Sequence, residues 1–289
     1  MSARLRGIAQ ETAAIVAAGG YTAPDGRYVR LADQVAAARA GTRVHGPGPV
    51  AVPDDVEPRA AGPTLIEVTG ESSLEAARRL VADGADPVAV LNFASARNPG
   101  GGFLNGAQAQ EEALCRASAL YACLLEARAY YDHHRAERDP FYSDRVVHSP
   151  AVPVFRDDRG ALLDIPYEAG FLTSPAPNAG VIRRRAPERA AEVPGALAVR
   201  AERVLETAAA CGYRRLVLGA WGCGVFQNDP AQVAEAFRAL LATGGRFAGH
   251  FAHVVFGVLD RTKGATTRGA FEKAFAQGDD AWRGREACA

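Results

Sequence analysis

The chain has 289 residues, of which 48% are hydrophobic and 23% are charged, and these values are close to the averages for globular proteins. Such a composition excludes collagen, coiled coils and disordered tail proteins. Lysine plus arginine (33) equals aspartate plus glutamate (33), so no net positive charge would concentrate a polyanion, and a phosphate-bearing ligand must be held by local geometry.

The five cysteines are odd in number and widely spread without CxxC spacing, which argues against a disulfide framework and against a zinc knuckle. A reducing, cytoplasmic location is therefore expected. No stretch approaches the roughly 20 apolar residues of a membrane-spanning helix, and the opening MSARLRGIAQETAAI is too polar for a secretory signal. We expect no membrane association.

The N-terminal part of the chain has helical patterns followed by a Gly/Pro-rich stretch. Apolar residues recur at helical spacing from Leu5 to Val16, and a second helical pattern lies between Val29 and Ala40. The stretch from His45 to Pro63 is typical of a linker or a long surface connection. We therefore expect a helical extension and linker over residues 1–60 and the main domain over 61–289, since so short an extension buries little by itself.

After the linker, short apolar runs rich in β-branched residues alternate with longer helical patterns. This alternation predicts an α/β fold, a sheet covered by helices on both faces. In such a fold, ligands bind just beyond the carboxyl ends of the strands. The predicted strands are 64–70, 88–95, 171–177, 214–221 and 253–260, and the predicted helices are 73–84, 109–131, 196–212, 229–245 and 269–278.

The loop after the strand at 88–95 reads SARNPGGGFLNGAQAQEEALCRAS and is the first candidate site. Three consecutive glycines, Gly100, Gly101 and Gly102, let a ligand approach the backbone closely. The helix that follows begins with Glu111 and Glu112, whose side chains point roughly 100° apart and so cannot share one role. An alternative interpretation is that both acids only complement the helix dipole.

The loop after the strand at 214–221 reads GAWGCGVFQNDP and is the second candidate site. Gly222 and Gly224 bracket Cys223, and such a turn can present several backbone N–H groups to a diphosphate. The spacing matches neither GxxxxGK[ST] nor GxGxxG, which disfavours a nucleotide triphosphatase and a dinucleotide dehydrogenase. Cys223 as a nucleophile is also disfavoured, because no histidine lies nearby in the sequence.

The run GGGFLNGAQAQEE resembles the GGG-x(6–8)-QEE motif of the poly(ADP-ribose) glycohydrolase family. Four other stretches, RLRGIAQETAAI, NFASARNPGGG, TSPAPNAG and GAWGCGVFQND, look like the bacterial-type branch of that family. The resemblance implies a macrodomain-like three-layer α/β/α sandwich with a mixed central sheet and an ADP-ribose cleft at its crest. It also implies hydrolysis of ribose–ribose O-glycosidic bonds in poly(ADP-ribose), mainly from chain ends, without a cofactor.

The resemblance also implies roles for individual residues. Glu112 would be the catalytic acid–base residue, while Glu111 and Gln110 would position Glu112 and the ribose hydroxyls. Asn98 and the glycines 100–102 would surround the distal ribose. In the second loop, Gly222, Cys223, Gly224 and Val225 would present N–H groups to the diphosphate, and Phe226 would pack on the distal ribose or, alternatively, be an ordinary core residue. The adenosine end would lie near Thr173–Asn178 and Asp260–Thr267.

No metal site is predicted, since the adjacent His133 and His134 diverge on a helix and the HFAH sequence at 250–253 lacks the glutamate of HExxH. The expected partners are poly(ADP-ribose), ADP-ribose and ADP-ribosylated proteins, with no direct nucleic-acid binding. Two other functions stay open from the sequence. One is an ADP-ribose-binding macrodomain without activity, and the other is a hydrolase of mono-ADP-ribose attached to protein side chains.

Overall fold

The protein folds as three layers, with a seven-stranded sheet between two layers of helices. The structure is a computed structural model and describes residues 2–52, 63–84 and 86–276. The strands are β1 (Gly20–Thr22), β2 (Tyr28–Arg30), β3 (Arg43–His45), β4 (Leu65–Thr69), β5 (Val88–Phe93), β6 (Val146–Arg156), β7 (Leu162–Ser174), β8 (Arg215–Gly219) and β9 (His253–Gly257). The helices are α1 (Ala3–Ala18), α2 (Ala32–Gly41), α3 (Ser73–Ala82), α4 (Gln110–Ala117), α5 (Leu120–Leu124), α6 (Arg128–Ala136), α7 (Ala179–Arg185), α8 (Val193–Ala210), α9 (Pro230–Leu241) and α10 (Thr266–Ala276).

The central sheet has the strand order β3-β6-β7-β5-β8-β9-β4, and β1 and β2 form a separate antiparallel hairpin. All neighbouring pairs from β7 to β4 are parallel, whereas β6 is antiparallel to both of its neighbours. The sheet is therefore mixed, which confirms the predicted macrodomain-like sandwich. Because the parallel strands end at the same edge, the loops that follow β5, β8 and β9 meet there.

The sheet separates two hydrophobic cores. In β5, Val88 and Val90 belong to the core under α1–α6, while Ala89 and Leu91 belong to the core under α7–α10. This alternation follows from the two-residue period of a strand, and burial on both faces explains why β5 reads as a continuous apolar run. Within the described residues, none of the helices combines the length and the apolar character needed to cross a lipid bilayer.

The N-terminal segment packs against the elements that carry the first candidate loop. The backbone N–H of Ser2 donates to the carbonyl of Gly106 at 3.1 Å, and the Thr12 hydroxyl donates to the carbonyl of Arg116 at 2.7 Å. Strand β3 forms one edge of the central sheet, so this segment is not purely helical. Residues 53–62 of the predicted linker lie outside the described residues, and the domain division at residue 60 stays a prediction.

The single helix predicted over 109–131 is wrong, because the structure has α4, α5 and the start of α6 in this region. The first break comes at Ser118, which leaves the helical conformation to form an isolated antiparallel bridge with Val154. The N–H of Ala119 donates to the carbonyl of Pro153 at 3.1 Å. These tertiary hydrogen bonds to β6 replace the helical ones, and the sequence pattern does not reveal them.

Strand β6 was not predicted, and β7 begins nine residues before the predicted strand at 171–177. Pro150 and Pro153 lie inside β6, and proline normally argues against a central strand. The structure accommodates Pro150 through a register shift between Ser149 and Val152, with Ala151 at φ 44°. An irregular strand of this kind, interrupted by His148, Ser149 and two prolines, lacks the continuous apolar run on which the strand predictions relied.

Candidate active site

A cleft of about 1490 Å³ lies at the carboxyl edge of the parallel strands. Its size exceeds the roughly 300–1,000 Å³ of typical small-molecule pockets, so it can hold an extended ligand. The loop after β5, the start of α4, the loop after β8 and the loop after β9 all contribute to its lining. Of the twelve residues predicted for the site, the cleft brings together Asn98, Gly101, Gly102, Gln110, Glu111, Glu112, Gly222, Cys223, Gly224, Val225 and Phe226.

Each of the three consecutive glycines meets a different steric requirement. A Cβ on Gly101 would lie 2.5 Å from Glu112 Oε1 and 3.1 Å from Glu111 Oε2, so both carboxyl groups reach the same point of the loop. A Cβ on Gly102 would lie 2.8 Å from the Cβ of Ala107. Gly100 faces away from the cleft, where a Cβ would lie 2.9 Å from the Tyr121 ring. Gly100 and Gly101 also have φ of 67° and 57°, a conformation that glycine adopts without strain.

The two oxygens of Glu112 have different environments. Oε1 accepts a hydrogen bond from the backbone N–H of Gly102 at 2.8 Å. Oε2 is buried and has no hydrogen-bond partner among the described residues. The carboxyl group of this cleft-lining residue is thus fixed by one oxygen, while the other has no partner within the described part of the chain. Buried polar atoms are usually paired, and among the described residues Oε2 is the only buried unpaired side-chain atom that belongs to a residue lining the cleft.

Glu111 is 2% exposed and hydrogen-bonds away from Glu112. Its Oε2 accepts from the N–H of Ser95 at 2.7 Å, and Oε1 lies 3.4 Å from the Asn92 side-chain amide nitrogen. Burial raises the pKa of Glu111 to about 8; the Ser95 hydrogen bond opposes this rise and the neighbouring Glu112 carboxylate adds to it. Glu111 is therefore largely protonated at neutral pH, and the two adjacent acids differ in environment as expected for different roles.

Gln110 joins the start of α4 to neighbouring elements. Its Oε1 accepts from the N–H of Phe93 at 2.9 Å, and its Nε2 donates to the carbonyl of Leu91 at 2.8 Å and to the Ser73 hydroxyl at 3.1 Å. The amide is thus engaged by β5 and α3 on both its oxygen and its nitrogen. These contacts hold the first turn of α4, and with it both glutamates, against the central strand.

The turn after β8 has an open row of backbone amides. Gly222 has φ of 71°, and a Cβ there would lie 2.4 Å from the side-chain nitrogen of Asn228, which itself donates to the carbonyl of Pro177 at 2.9 Å. Cys223 donates its N–H to the carbonyl of Ala220. Within the described part of the chain, the N–H groups of residues 224–226 have no acceptor. A row of such amides forms an anion-binding surface.

Cys223 is not suited to nucleophilic chemistry. Burial raises the pKa of its thiol to about 12, and the nearby Asp229 adds to the rise. A thiol with such a pKa contains almost no thiolate at neutral pH, and the thiolate is the reactive form.

Phe226 packs at the cleft wall against Tyr142, with ring centroids 5.8 Å apart. Tyr142 has φ of 59°, a conformation unusual for an aromatic residue, and the Arg97 guanidinium lies 5.9 Å from the centre of its ring. The turn is held by Asp139, whose side chain accepts from the N–H of Phe141 at 2.9 Å and whose carbonyl accepts from the N–H of Tyr142 at 3.1 Å. Strained backbone at a cleft is typical of functional positions.

The two ranges suggested for the adenosine end differ in position. Asp260, Thr262 and Thr267 line the cleft, and hydrogen bonds from Thr262 hold the pKa of Asp260 at about 2. The residues of Thr173–Asn178 do not line it but support it from behind. The carbonyl of Ser174, for example, accepts from the Trp221 indole N–H at 3.0 Å.

The cleft residues that the sequence interpretation did not single out include Arg97, Tyr142 and Asp158. Tyr142 lies in a turn between elements, and Asp158 lies in the connection between the unpredicted strand β6 and β7. Asp158 accepts from the Ser72 hydroxyl at 2.6 Å, and Ser72 also forms a capping box with Glu75 at the start of α3. The Ser-x-x-Glu pattern at 72–75 is a helix-start signal that was present in the sequence, but it gives no hint of Asp158.

Comparisons with known proteins identify relatives of this chain. Residues 9–157, just over half of the chain, match the family described as microbial-type PARG, catalytic domain, where PARG is poly(ADP-ribose) glycohydrolase. Comparison with curated proteins gave no match.

Several solved structures are similar to this chain. The crystal structure of poly(ADP-ribose) glycohydrolase from Thermomonospora curvata is 53% identical, with a TM-score of 0.88 over 95% of this chain and 100% of that chain. The same enzyme bound to the inhibitor ADP-HPD has 53% identity and a TM-score of 0.85 over 94% and 99%. The enzyme from Deinococcus radiodurans in complex with ADP-ribose is 47% identical, with a TM-score of 0.78 over 86% and 99%. With a cleft that combines the glycine loop and the paired glutamates, this chain belongs to the microbial-type poly(ADP-ribose) glycohydrolase family.

Proposed function

We propose that this protein is a poly(ADP-ribose) glycohydrolase, which hydrolyses the ribose–ribose O-glycosidic bond and releases ADP-ribose. The observation that carries the proposal is the geometry of Glu112, a residue that lines the cleft, with Oε1 fixed by the Gly102 N–H at 2.8 Å and Oε2 without a partner among the described residues. Its relatives support the same activity, since the related enzymes of known structure carry this name and one of them is bound to ADP-ribose.

In the proposed mechanism, Glu112 acts first as an acid and then as a base. Oε2 gives its proton to the ribose oxygen that leaves as the glycosidic bond breaks. The resulting carboxylate then takes a proton from the water that attacks the oxocarbenium-like sugar. The two carboxylates of an ordinary glycosidase flank the bond from opposite sides, whereas Glu111 and Glu112 are neighbours on one helix, so one carboxyl group performs both steps.

Glu111 supports this chemistry as a neutral group. Its pKa of about 8 keeps it largely protonated at neutral pH, so it places no negative charge beside Glu112. Its hydrogen bond from the Ser95 N–H holds the start of the glycine loop. We assign Glu111 and Gln110 to positioning Glu112 and the ribose.

The remainder of the cleft suits the rest of an ADP-ribose unit. The free amides of residues 224–226 would bind the diphosphate without a lysine, and Phe226 would pack on the distal ribose. Asn98, which is exposed at the cleft and whose N–H donates to the Ser95 hydroxyl at 3.2 Å, would meet the ribose hydroxyls. Asp260, Thr262 and Thr267 also line the cleft, and the adenosine end would lie beside them.

The test is incubation of labelled poly(ADP-ribose) with the wild type, with Glu112→Gln, and with Glu188→Gln as a control at an exposed glutamate outside the cleft. We expect release of ADP-ribose by the wild type and the control, and a loss of about 100-fold or more in Glu112→Gln. Wild-type turnover by Glu112→Gln would remove Glu112 from the mechanism. Polymer binding without cleavage by the wild type would instead identify a binding macrodomain.

We further propose that the enzyme acts mainly from the ends of the polymer, that it acts on polymer attached to modified proteins, and that it is located in the cytoplasm. Exo action predicts free ADP-ribose as the first product, whereas endo action would release oligomers first. Activity confined to mono-ADP-ribose on serine, arginine or glutamate side chains would overturn the polymer assignment.

The proposed location is supported by the cysteines: Cys115 and Cys123 are free and buried, in keeping with the reducing environment of the cytoplasm.

A further inference from the structure

Outside the cleft, three side chains from distant parts of the sequence converge at the edge of the sheet. His45 ends β3, His148 lies in β6, and Cys211 immediately follows α8. One potential ligand atom from each lies within 4.8 Å of the other two. His45 and His148 share a face because Arg43 pairs with His148, which makes His45 its diagonal neighbour across the antiparallel pair. None of the three residues lines the cleft.

The spacing of the closest two atoms matches a metal centre. Cys211 Sγ lies 3.4 Å from His148 Nδ1. In a tetrahedral zinc site with Zn–N of about 2.0–2.1 Å and Zn–S of about 2.3 Å, the nitrogen and sulfur are about 3.5 Å apart. His45 needs an approach of at most ~1.4 Å to reach the N···N separation of about 3.4 Å in such a site. Its ring is half-buried and the Gly46 that follows is exposed, so packing does not fully enclose the ring.

His148 is also held in the orientation that a metal-binding histidine needs. Its Nε2 lies 2.8 Å from the Tyr213 hydroxyl, and the two rings meet edge to face at 5.5 Å. The hydroxyl fits only because Gly170 has no side chain, since a Cβ there would lie 2.0 Å from it. With the ring proton on Nε2 donated to Tyr213, the Nδ1 lone pair faces Cys211. Metal-binding histidines almost always have such an outer partner on the second nitrogen.

We propose that His45, His148 and Cys211 bind a zinc ion. Imidazole nitrogen and thiolate sulfur are the ligands that zinc prefers, and the partial exposure of all three residues leaves the fourth position to water. The thiol proton is released to solvent as the Zn–S bond forms. The ion would connect the edge strand β3 of the N-terminal segment to β6 and to the end of α8, and thereby stabilise the folded chain. This site is independent of the proposed hydrolase activity.

The test uses the full chain, purified without a metal-affinity tag and dialysed against a chelator. Zinc is titrated into the wild type and into Cys211→Ser, His45→Ala, Tyr213→Phe and the control His133→Ala, which alters a half-buried histidine on α6. Bound zinc is measured together with the zinc-dependent rise in melting temperature. Cobalt is a second probe, because a thiolate ligand adds a sulfur-to-cobalt charge-transfer band.

We expect one zinc per chain in the wild type and the control, and affinity losses of more than about 100-fold in Cys211→Ser and His45→Ala. Tyr213→Phe, which keeps all three ligands, is expected to lose about 10- to 100-fold. The cobalt charge-transfer band should disappear in Cys211→Ser, with circular dichroism of each metal-free variant showing that it is folded. Absence of zinc binding by the wild type, or binding by Cys211→Ser and His45→Ala that equals that of the wild type, would overturn the proposal and leave a thiol–imidazole hydrogen bond.

Discussion

Replacing Glu111 by glutamine tests whether burial keeps this carboxyl group protonated. The amide has nearly the same shape and stays neutral at every pH. Its oxygen can keep the hydrogen bond from the Ser95 N–H. Its nitrogen would face Asn92, whose Oδ1 has no partner among the described residues, so a rotation of the Asn92 amide supplies an acceptor.

The magnitude follows from the pKa of Glu111. Folding raises this pKa from 4.5 to about 8, so in the intervening pH range the folded protein keeps a proton that the unfolded chain releases. The free energy of unfolding therefore decreases as pH rises above the unfolded value, and the decrease ends above the folded value. At about 1.36 kcal/mol per pKa unit, the wild type loses roughly 4 kcal/mol between about pH 5 and about pH 9 through this group.

The assay is urea unfolding of wild type and Glu111→Gln across this pH range. The difference in unfolding free energy between variant and wild type should grow with pH in favour of the variant, by roughly 4 kcal/mol in total. Titration of all other groups is common to both proteins and cancels in the difference. Parallel pH profiles would show that Glu111 titrates normally in the folded protein and would refute this interpretation of its burial.

Two further substitutions test the cleft. Gly101→Ala places a Cβ 2.5 Å from Glu112 Oε1 at a backbone φ of 57°. Because a displacement of about 1 Å at a reacting group can cost about 100-fold in rate, kcat should fall about 100-fold. Gly7→Ala is the control and should leave kcat unchanged, since nothing lies within 4 Å of a Cβ at that position. Equal kcat in both variants would contradict the role of the loop. Phe226→Ala removes the ring that packs on Tyr142 and lines the cleft. The affinity for ADP-ribose, measured by calorimetry, should fall about tenfold, which corresponds to about 1.4 kcal/mol of binding free energy. Unchanged affinity would identify Phe226 as an ordinary core residue.

The parts of the site that the sequence predicted are continuous along the chain. The glycine loop and the two glutamates lie within thirteen residues, Gly100 to Glu112. The sequence alone therefore showed that a loop open to a ligand lies next to two carboxyl groups. Strand β5 was predicted for a similar reason, since its apolar run is unbroken. The start of α9 was predicted correctly as well, because Asp229 caps the helix and Pro230 occupies its first turn.

The parts that were missed depend on contacts between distant residues. The end of α4 at Ser118 is set by hydrogen bonding to β6, itself obscured by two prolines. Tyr142 reaches the cleft from a turn thirty residues beyond Glu112. His45, His148 and Cys211 have no metal-binding spacing in the sequence, and only the pairing of β3 with β6 and the end of α8 bring them together. Local sequence patterns carry no information about such long-range contacts.

The most direct measurement of the central claim is a crystal structure of Glu112→Gln in complex with ADP-ribose. We expect the distal ribose against Gly101, within hydrogen-bond distance of the side chain at position 112, and the diphosphate on the amides of residues 224–226. A ribose bound away from position 112 would contradict the assignment of Glu112 as the acid–base residue, and a diphosphate that does not contact the turn after β8 would contradict the role of those amides.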